Sequence, residues 1–341
     1  MRTAGVAKGI FLELRAIPVL LWSFTAIVLG TGIAVAEAGR FDPWLFVEAL
    51  LIGVLIQGYE THAVNEIYDW RSGTDGDLSP RVLSGGSRVL LAGLLTERQL
   101  WAIFGVSSIL AWLLAVDLFL RTGPVVLVLV AIGYAAGLLY TAPPVQTSYR
   151  PFAGDWLGGF TGVTAAGLGA YYVQALTISV TAVLFAVAHA CVCVGMLLMH
   201  HYLDMDADSR ARPQKRTTIV FLGPRIGKVY ATSFAIAVVG IGAVLALLWR
   251  VETILFAAAG VIGLVAHARA NPRDVGSVTR HELTVIQAGI GGGLALAVVL
   301  APVLLPVVPV AITLYLGHLR VALSVRTPAA EQYETIANPP T

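Results

Sequence analysis

The sequence predicts an all-α, polytopic membrane helix bundle of about nine transmembrane helices around a central cavity with cytoplasmic cap loops, and three observations carry that reading. Of the 341 residues, 57% are hydrophobic and 12% charged, against roughly a quarter charged in an ordinary soluble domain. The apolar residues gather into repeated runs of about 20, the length that crosses a ~30 Å hydrocarbon core, rather than into amphipathic stripes. Lys and Arg fall unevenly across the loops between those runs. With 22 Lys and Arg against 20 Asp and Glu, the net charge of +2 gives no global basic field for nucleic acid. The expected surroundings are a lipid bilayer.

Runs bounded by charged or Pro/Gly breaks place spans near 15–36, 44–64, 99–120, 124–141, 154–175, 178–200, 224–249, 251–268 and 283–317. The first carries Pro18 and ends near Ala34-Val35-Ala36, which resembles a signal-peptidase site, but its length and the spans that follow predict a retained helix. The fifth is rich in glycine (Gly158, Gly159, Gly162, Gly167), which suits close helix contacts in lipid. Cys191 and Cys193 in the sixth point to different sides of a helix and read as core filler, not as a disulfide or metal pair. The ninth is over-long and carries Pro302, Pro306 and Pro309, so it is kinked or forms two segments, which would make ten. Residues 1–323 are expected to form a single domain, and the polar, proline-containing tail 324–341 to be disordered.

With the amino terminus provisionally inside, seventeen Lys and Arg lie on the inner side, and five, Arg40, Arg121, Arg250, Arg320 and Arg326, lie outside. That asymmetry puts the two longest loops, after the second and sixth spans, in the cytoplasm. The Ala/Gly/Val-rich composition points to a prokaryotic cell membrane.

Both of those loops are entered through acidic helix ends. The second span runs into NEIYDWRSGTDGD, where Asn65 and Asp69 are four apart on one helical face and Asp75 and Asp77 follow in the loop. The sixth runs into HHYLDMDADSRARPQKRT, where His200, Asp204 and Asp208 fall at steps of four. Carboxylates at that spacing repel one another unless a cation lies between them. Magnesium takes one or two carboxylates and completes its shell with water and phosphate oxygens, so two facing half-sites would hold a diphosphate through bridging Mg2+. Arg71, Lys215 and Arg216 stand nearby to neutralise the remaining phosphate charge. A single acidic helix end is usually only solvated; two of them, four-spaced, on one side and beside cations, are not. Asp204-x-Asp206-x-Asp208 is no EF-hand, since Ser209 and Lys215 occupy the positions that need Gly and Glu. Carboxylates outnumber histidines and no cysteine is near, which argues against zinc.

At these residues the chain resembles the UbiA superfamily of intramembrane prenyltransferases, and the resemblance covers most of its length. NEIYDWRSGTD is similar to the first Asp-rich motif of that family in its menaquinone-biosynthesis branch, which implies Asn65, Asp69 and Asp75 as metal or diphosphate ligands. LDMDADSRARPQKRT is similar to the second, which implies Asp204 and Asp208 as metal ligands with Lys215 and Arg216 on phosphate. GGSRVLLAGLL (Gly85 to Leu95) and the stretch from Tyr140 to Gln174 favour the same branch. Three departures stand out: His200 where Asn is expected, Glu66 in place of Asp, and about two extra residues between Asp208 and Lys215.

The resemblance implies a Mg-dependent transfer of an isoprenyl group from an allylic diphosphate to an aromatic, dihydroxynaphthoate-like acceptor. A terpene cyclase of the same superfamily, acting on farnesyl or geranylgeranyl diphosphate without acceptor, would need the same aspartates. An ion-coupled transporter would instead keep its functional charges near mid-bilayer. Asp69 and Asp204 head the catalytic set; Tyr140 and Asp155 bracket a Pro-containing loop and can orient or deprotonate a phenolic acceptor, or serve as interfacial tyrosine and helix-capping aspartate. His62, one turn before Asn65, and the intramembrane Glu60 are further candidates for the cavity wall, and Glu48 is a second carboxylate within an apolar run.

Overall fold

The computed structural model describes residues 3–75 and 86–325; Asp77 and nearly all of the polar tail fall outside them. Among the described residues there is no strand. The chain runs through α1 (Gly5–Ala38), α2 (Pro43–Ser72), α3 (Glu97–Thr122), α4 (Val125–Thr141), α5 (154–175), α6 (Val180–Arg210), α7 (Thr218–Leu248), α8 (Val251–Arg269), α9 (Val275–Leu300) and α10 (Pro302–Ala322). Among the described residues eight helices are long and apolar enough to cross a membrane, α4 being a shorter apolar helix of 17 residues.

Local chemistry sets the boundaries. Asp42 caps α2 by accepting from the backbone of Trp44 and Leu45, with Pro43 in the first turn. Thr96 and Gln99 form a capping box on α3, and Ser179, Thr217 and Asp274 cap α6, α7 and α9. Gly223, at φ 71°, breaks α7 just before Pro224, so this helix begins earlier than its apolar run.

The ninth predicted span resolves into two helices. Ala301 leaves the helical region (φ −142°, ψ 86°) ahead of Pro302, which has no amide hydrogen to continue the ladder. Ten segments instead of nine return the chain to the face on which it starts: Lys8 Nζ donates to the Ser324 carbonyl at 3.3 Å, and the Phe11 and His318 rings lie 6.0 Å apart. Arg320, assigned to the outer side by the nine-span reading, therefore shares the face of the acidic helix ends.

α1 is the spine. It packs on α5, α6 and α9, and 83% of its apolar window is buried inside the bundle. Gly30 and Gly167 make its contact with α5 possible, because a Cβ on Gly30 would stand 2.2 Å from the Gly167 carbonyl oxygen. The outer helices turn large apolar side chains outward, Leu120, Leu247 and Leu248 being more than 70% exposed, as suits a hydrocarbon surround. At 31 residues and ~1.5 Å per residue α6 is about 46 Å long, so its last two turns extend past a ~30 Å apolar slab. Those turns carry Asp204 and Asp208.

Replacing Gly30 with Ala forces α1 and α5 apart and is expected to cost about 1–3 kcal/mol, seen as a lower thermal midpoint in detergent; an unchanged midpoint would disprove the close approach.

Candidate active site

A cavity of about 310 Å³ runs into the bundle from the acidic helix ends. Asn65, Asp69, Asp75, Asp204 and Lys215 line its mouth, while Ile52, Ile56, Leu118, Val126 and Leu129 line its depth. Ala49 and Asp69 both border it on α2, so at ~1.5 Å per residue it reaches about 30 Å along that helix. The cavity is polar at one end and apolar along the rest.

Asp69 is the centre of the mouth. Its carboxylate accepts from Asn65 Nδ2 (2.8 Å), from the Tyr149 hydroxyl (2.8 Å) and from Lys215 Nζ (2.6 Å), although the residue is only 2% exposed. Three segments thus converge on one side chain: α2, the loop before α5 and the loop after α6. Lys215 also stands 3.9 Å from Asp208. Burial works against its charge, but Asp69 and Asp208 outweigh that and hold the ammonium well above the ordinary lysine pKa. For the Tyr149 phenol burial and the Asp69 charge act together and push it up. The loop after α6 is also tied to the end of α2 by backbone, the Arg212 amide donating to the Ser72 carbonyl at 2.9 Å.

The second acidic stretch is arranged around His200. Its Nδ1 lies 2.8 Å from Glu282 Oε1 on α9, and its Nε2 lies 3.2 Å from Asp204 Oδ2. A carboxylate–imidazole–carboxylate chain therefore orients Asp204, with all three residues on the cavity wall. Asp208 is 1% exposed and is not among the side chains that line the cavity, and among the described residues neither of its oxygens accepts a hydrogen bond.

The departure at Glu66 has a structural reason. Glu66 accepts from the backbone amides of Ser87 (2.8 Å) and Leu90 (3.4 Å), and Ser87 Oγ donates to Glu13 on α1 at 2.5 Å. These bonds hold Ser87 and Leu90 against α1 and α2, with Ser87 on the cavity wall. Gly86 has φ 73°, and a Cβ there would meet Asp75 and Glu66 oxygens at 2.4 Å, so only glycine passes between the two carboxylates. Burial first, then Asp69 and Glu66, raises the Asp75 carboxyl well above the ordinary range. Among the described residues its Oδ2 has no hydrogen-bond partner. Arg15, left-handed at φ 48° where α1 breaks, reaches Asn65 Oδ1 at 3.2 Å.

Not every residue singled out from the sequence reaches the cavity. Arg71 is turned outward, its side chain 49% exposed, paired with Glu97 at the start of α3 and stacked over Tyr68. Arg216 is exposed and packs over the Phe221 ring at 4.8 Å. Asp155 is buried but faces α7, accepting from Thr218 Oγ1 at 2.6 Å, which pins the start of α5 instead of bordering the cavity. Tyr140 does border it, its ring against Gly158, where a Cβ would stand 2.5 Å away. His62 lines the wall. Glu48 pairs with Arg121 at the far end of the bundle, and buried Glu60 accepts from Thr61 Oγ1 outside the cavity.

The donor set suits a hard divalent cation. Among the described residues no three His, Cys, Asp or Glu side chains converge on one metal-sized point. Magnesium does not require an all-protein cage, since one or two carboxylates suffice when phosphate oxygens and water complete the shell. The unpartnered, buried oxygens of Asp75 and Asp208 are acceptors of that kind.

Fold and site together define an integral membrane helix bundle with a buried polyacidic mouth on an apolar cavity. The chain belongs to the UbiA prenyltransferase family, whose model matches residues 23–280. A 1,4-dihydroxy-2-naphthoate octaprenyltransferase from Bacillus subtilis (strain 168) is 26% identical over 217 residues, 63% of this chain and 67% of that protein. A UbiA homolog from Archaeoglobus fulgidus, solved bound to GPP and Mg2+, superposes with a TM-score of 0.64 at 16% identity, covering 85% of this chain and 99% of that one. The apo structure of a UbiA homolog from Aeropyrum pernix K1 gives 0.59 at 17% identity, over 80% and 96% of the two chains.

Lys215→Met leaves Asp69 and Asp208 buried without their cation and is expected to cost about 3–5 kcal/mol of stability. Adding Asp69→Asn should recover part of that loss in a double-mutant cycle of thermal midpoints; strict additivity would show that the pair is not coupled.

Proposed function

We propose that this protein is a Mg-dependent intramembrane prenyltransferase that moves an isoprenyl group from an allylic diphosphate to an aromatic, dihydroxynaphthoate-like acceptor, with its site facing the cytoplasm of a prokaryotic cell. One observation carries the reading: Lys215, from the loop after α6, bonds to Asp69 at the end of α2, so the two acidic stretches share one mouth. The GPP and Mg2+ held by the Archaeoglobus fulgidus homolog support the donor and the metal, and the activity named for the Bacillus subtilis relative supports the acceptor.

Asn65, Asp69 and Asp75 on one side and Asp204 and Asp208 on the other are the residues to hold the metal. When bound, magnesium supplies positive charge that stabilises the departing diphosphate. Lys215 then exchanges its contact with Asp69 for a phosphate oxygen, keeping a fixed cation where negative charge develops. Glu282 and His200 keep Asp204 aimed at the mouth. The apolar wall below, with Ile52, Ile56 and Leu129, receives the prenyl tail and excludes water from the allylic cation left by C–O cleavage. A ring carbon of the acceptor attacks that cation and the ring loses a proton, a transfer that Tyr140 on the wall is placed to orient.

Mass spectrometry of products from membranes given several prenyl diphosphates, with and without 1,4-dihydroxy-2-naphthoate, tests the reaction. A prenylated aromatic that depends on acceptor is the expected product, whereas a cyclic hydrocarbon or alcohol without acceptor would assign a cyclase. Chelation with EDTA should abolish turnover and Mg2+ restore it. Asp69→Ala with Asp204→Ala is expected to lower turnover at least 10²–10³-fold; full activity in that double variant would overturn the site.

A further inference from the structure

The cavity carries polar groups that a prenyl tail does not explain. Its apolar wall comes from α1 to α6, and Leu12 and Pro18 of α1, Leu283 and Ile286 of α9 and His318 of α10 line it together with His62 on α2. The helix carrying His318 lies wholly beyond the family-matched residues 23–280. It is held against the start of α1 by the Phe11–His318 ring contact and by Lys8.

His62 and His318 are 7% and 6% exposed, both line the cavity, and among the described residues Nδ1 of each has no hydrogen-bond partner. Two buried imidazoles short of partners on a cavity wall mark a place where a ligand brings hydrogen-bonding groups. A hydrocarbon tail would leave those nitrogens desolvated and unpaired, which is costly. A diphosphate belongs with the metal-binding acids, and His62 lies seven residues, about 10 Å along α2, below Asp69. With a diphosphate held at the mouth, the first carbons of its prenyl chain would lie at about that depth. Leu12, Leu283 and Ile286 offer apolar faces to a flat ring, and Arg15, on the same wall, faces an acidic substituent.

Building on the proposed prenyl transfer, we propose that His62 and His318 are recognition residues for a hydroxylated aromatic acid, docked between α1, α2 and α10 with its hydroxyls on the two imidazoles and its carboxylate toward Arg15. α10 thereby contributes to acceptor choice.

The test is steady-state kinetics on the full-length protein in detergent, varying 1,4-dihydroxy-2-naphthoate and the prenyl diphosphate separately. His318→Leu is expected to raise KM for the naphthoate about tenfold, the loss of one ordinary hydrogen bond, with KM for the diphosphate unchanged. His318→Gln, which keeps a donor and an acceptor, should restore most of the difference. An unchanged naphthoate KM in His318→Leu, or both KM values rising together, overturns this proposal while leaving the transfer reaction intact; ordered water alone at the imidazoles would give the first of those results. A wild-type protein that prenylates no aromatic acid overturns the transfer reading and this proposal with it. Should His318→Leu fail to fold, as judged by its thermal midpoint, His318→Asn is read in the same assay, and an unchanged naphthoate KM there is equally decisive.

Discussion

A carboxylate buried where a membrane helix leaves the hydrocarbon is the constraint on which the rest of this molecule is built. Asp69 is almost fully enclosed, and an isolated charge there would be prohibitive. It is tolerated because Asn65, Tyr149 and Lys215 donate to it from three segments far apart in sequence. To deliver those donors, the loop before α5 must lie on α2, and the loop after α6 must cross to the same place. Charge satisfaction therefore draws the two halves of the bundle together at one end, while the apolar helices below leave a narrow channel between them.

The departures from the family pattern show how one substitution brings in partners elsewhere. Glu66 is a methylene longer than the Asp it replaces, and it spends its oxygens on the amides of Ser87 and Leu90, with Glu13 taking the Ser87 hydroxyl. It holds Ser87 and Leu90 in place instead of bordering the cavity. His200 stands where an amide side chain is expected, and its second nitrogen acquires Glu282 as a partner, a residue just past the end of the family match. In both places the polar demand of the altered side chain is met by a carboxylate or backbone amide that no local pattern would have picked out.

Much of the architecture was legible in the amino-acid order, for physical reasons. Hydrocarbon thickness fixes span length, so the apolar runs located the helices closely, and four-residue spacing placed Asn65 with Asp69 and His200 with Asp204 on shared faces. The direction of a long cation at a helix end follows from its neighbours, not from its spacing. Arg71 found Glu97 and Arg216 found Phe221, so Lys215 alone of the three reached the mouth. Asp155 was drawn to Thr218 across a helix contact that sequence spacing cannot encode. Glu13 and Glu282 were missed because their partners lie 74 and 82 residues away. The tenth helix was signalled by Pro302, but only the backbone at Ala301 decided between a kink and a return crossing.

That return crossing has a topological consequence. With positions 8 and 324 within one hydrogen bond of each other, the path through the bilayer is nearly a closed ring. A short peptide joining those two positions would circularise the polypeptide without dragging any segment through lipid, and the ring could then be reopened in a loop on either surface with every crossing keeping its direction. A bundle with an odd number of crossings forbids that rearrangement, because its two ends lie in different aqueous compartments.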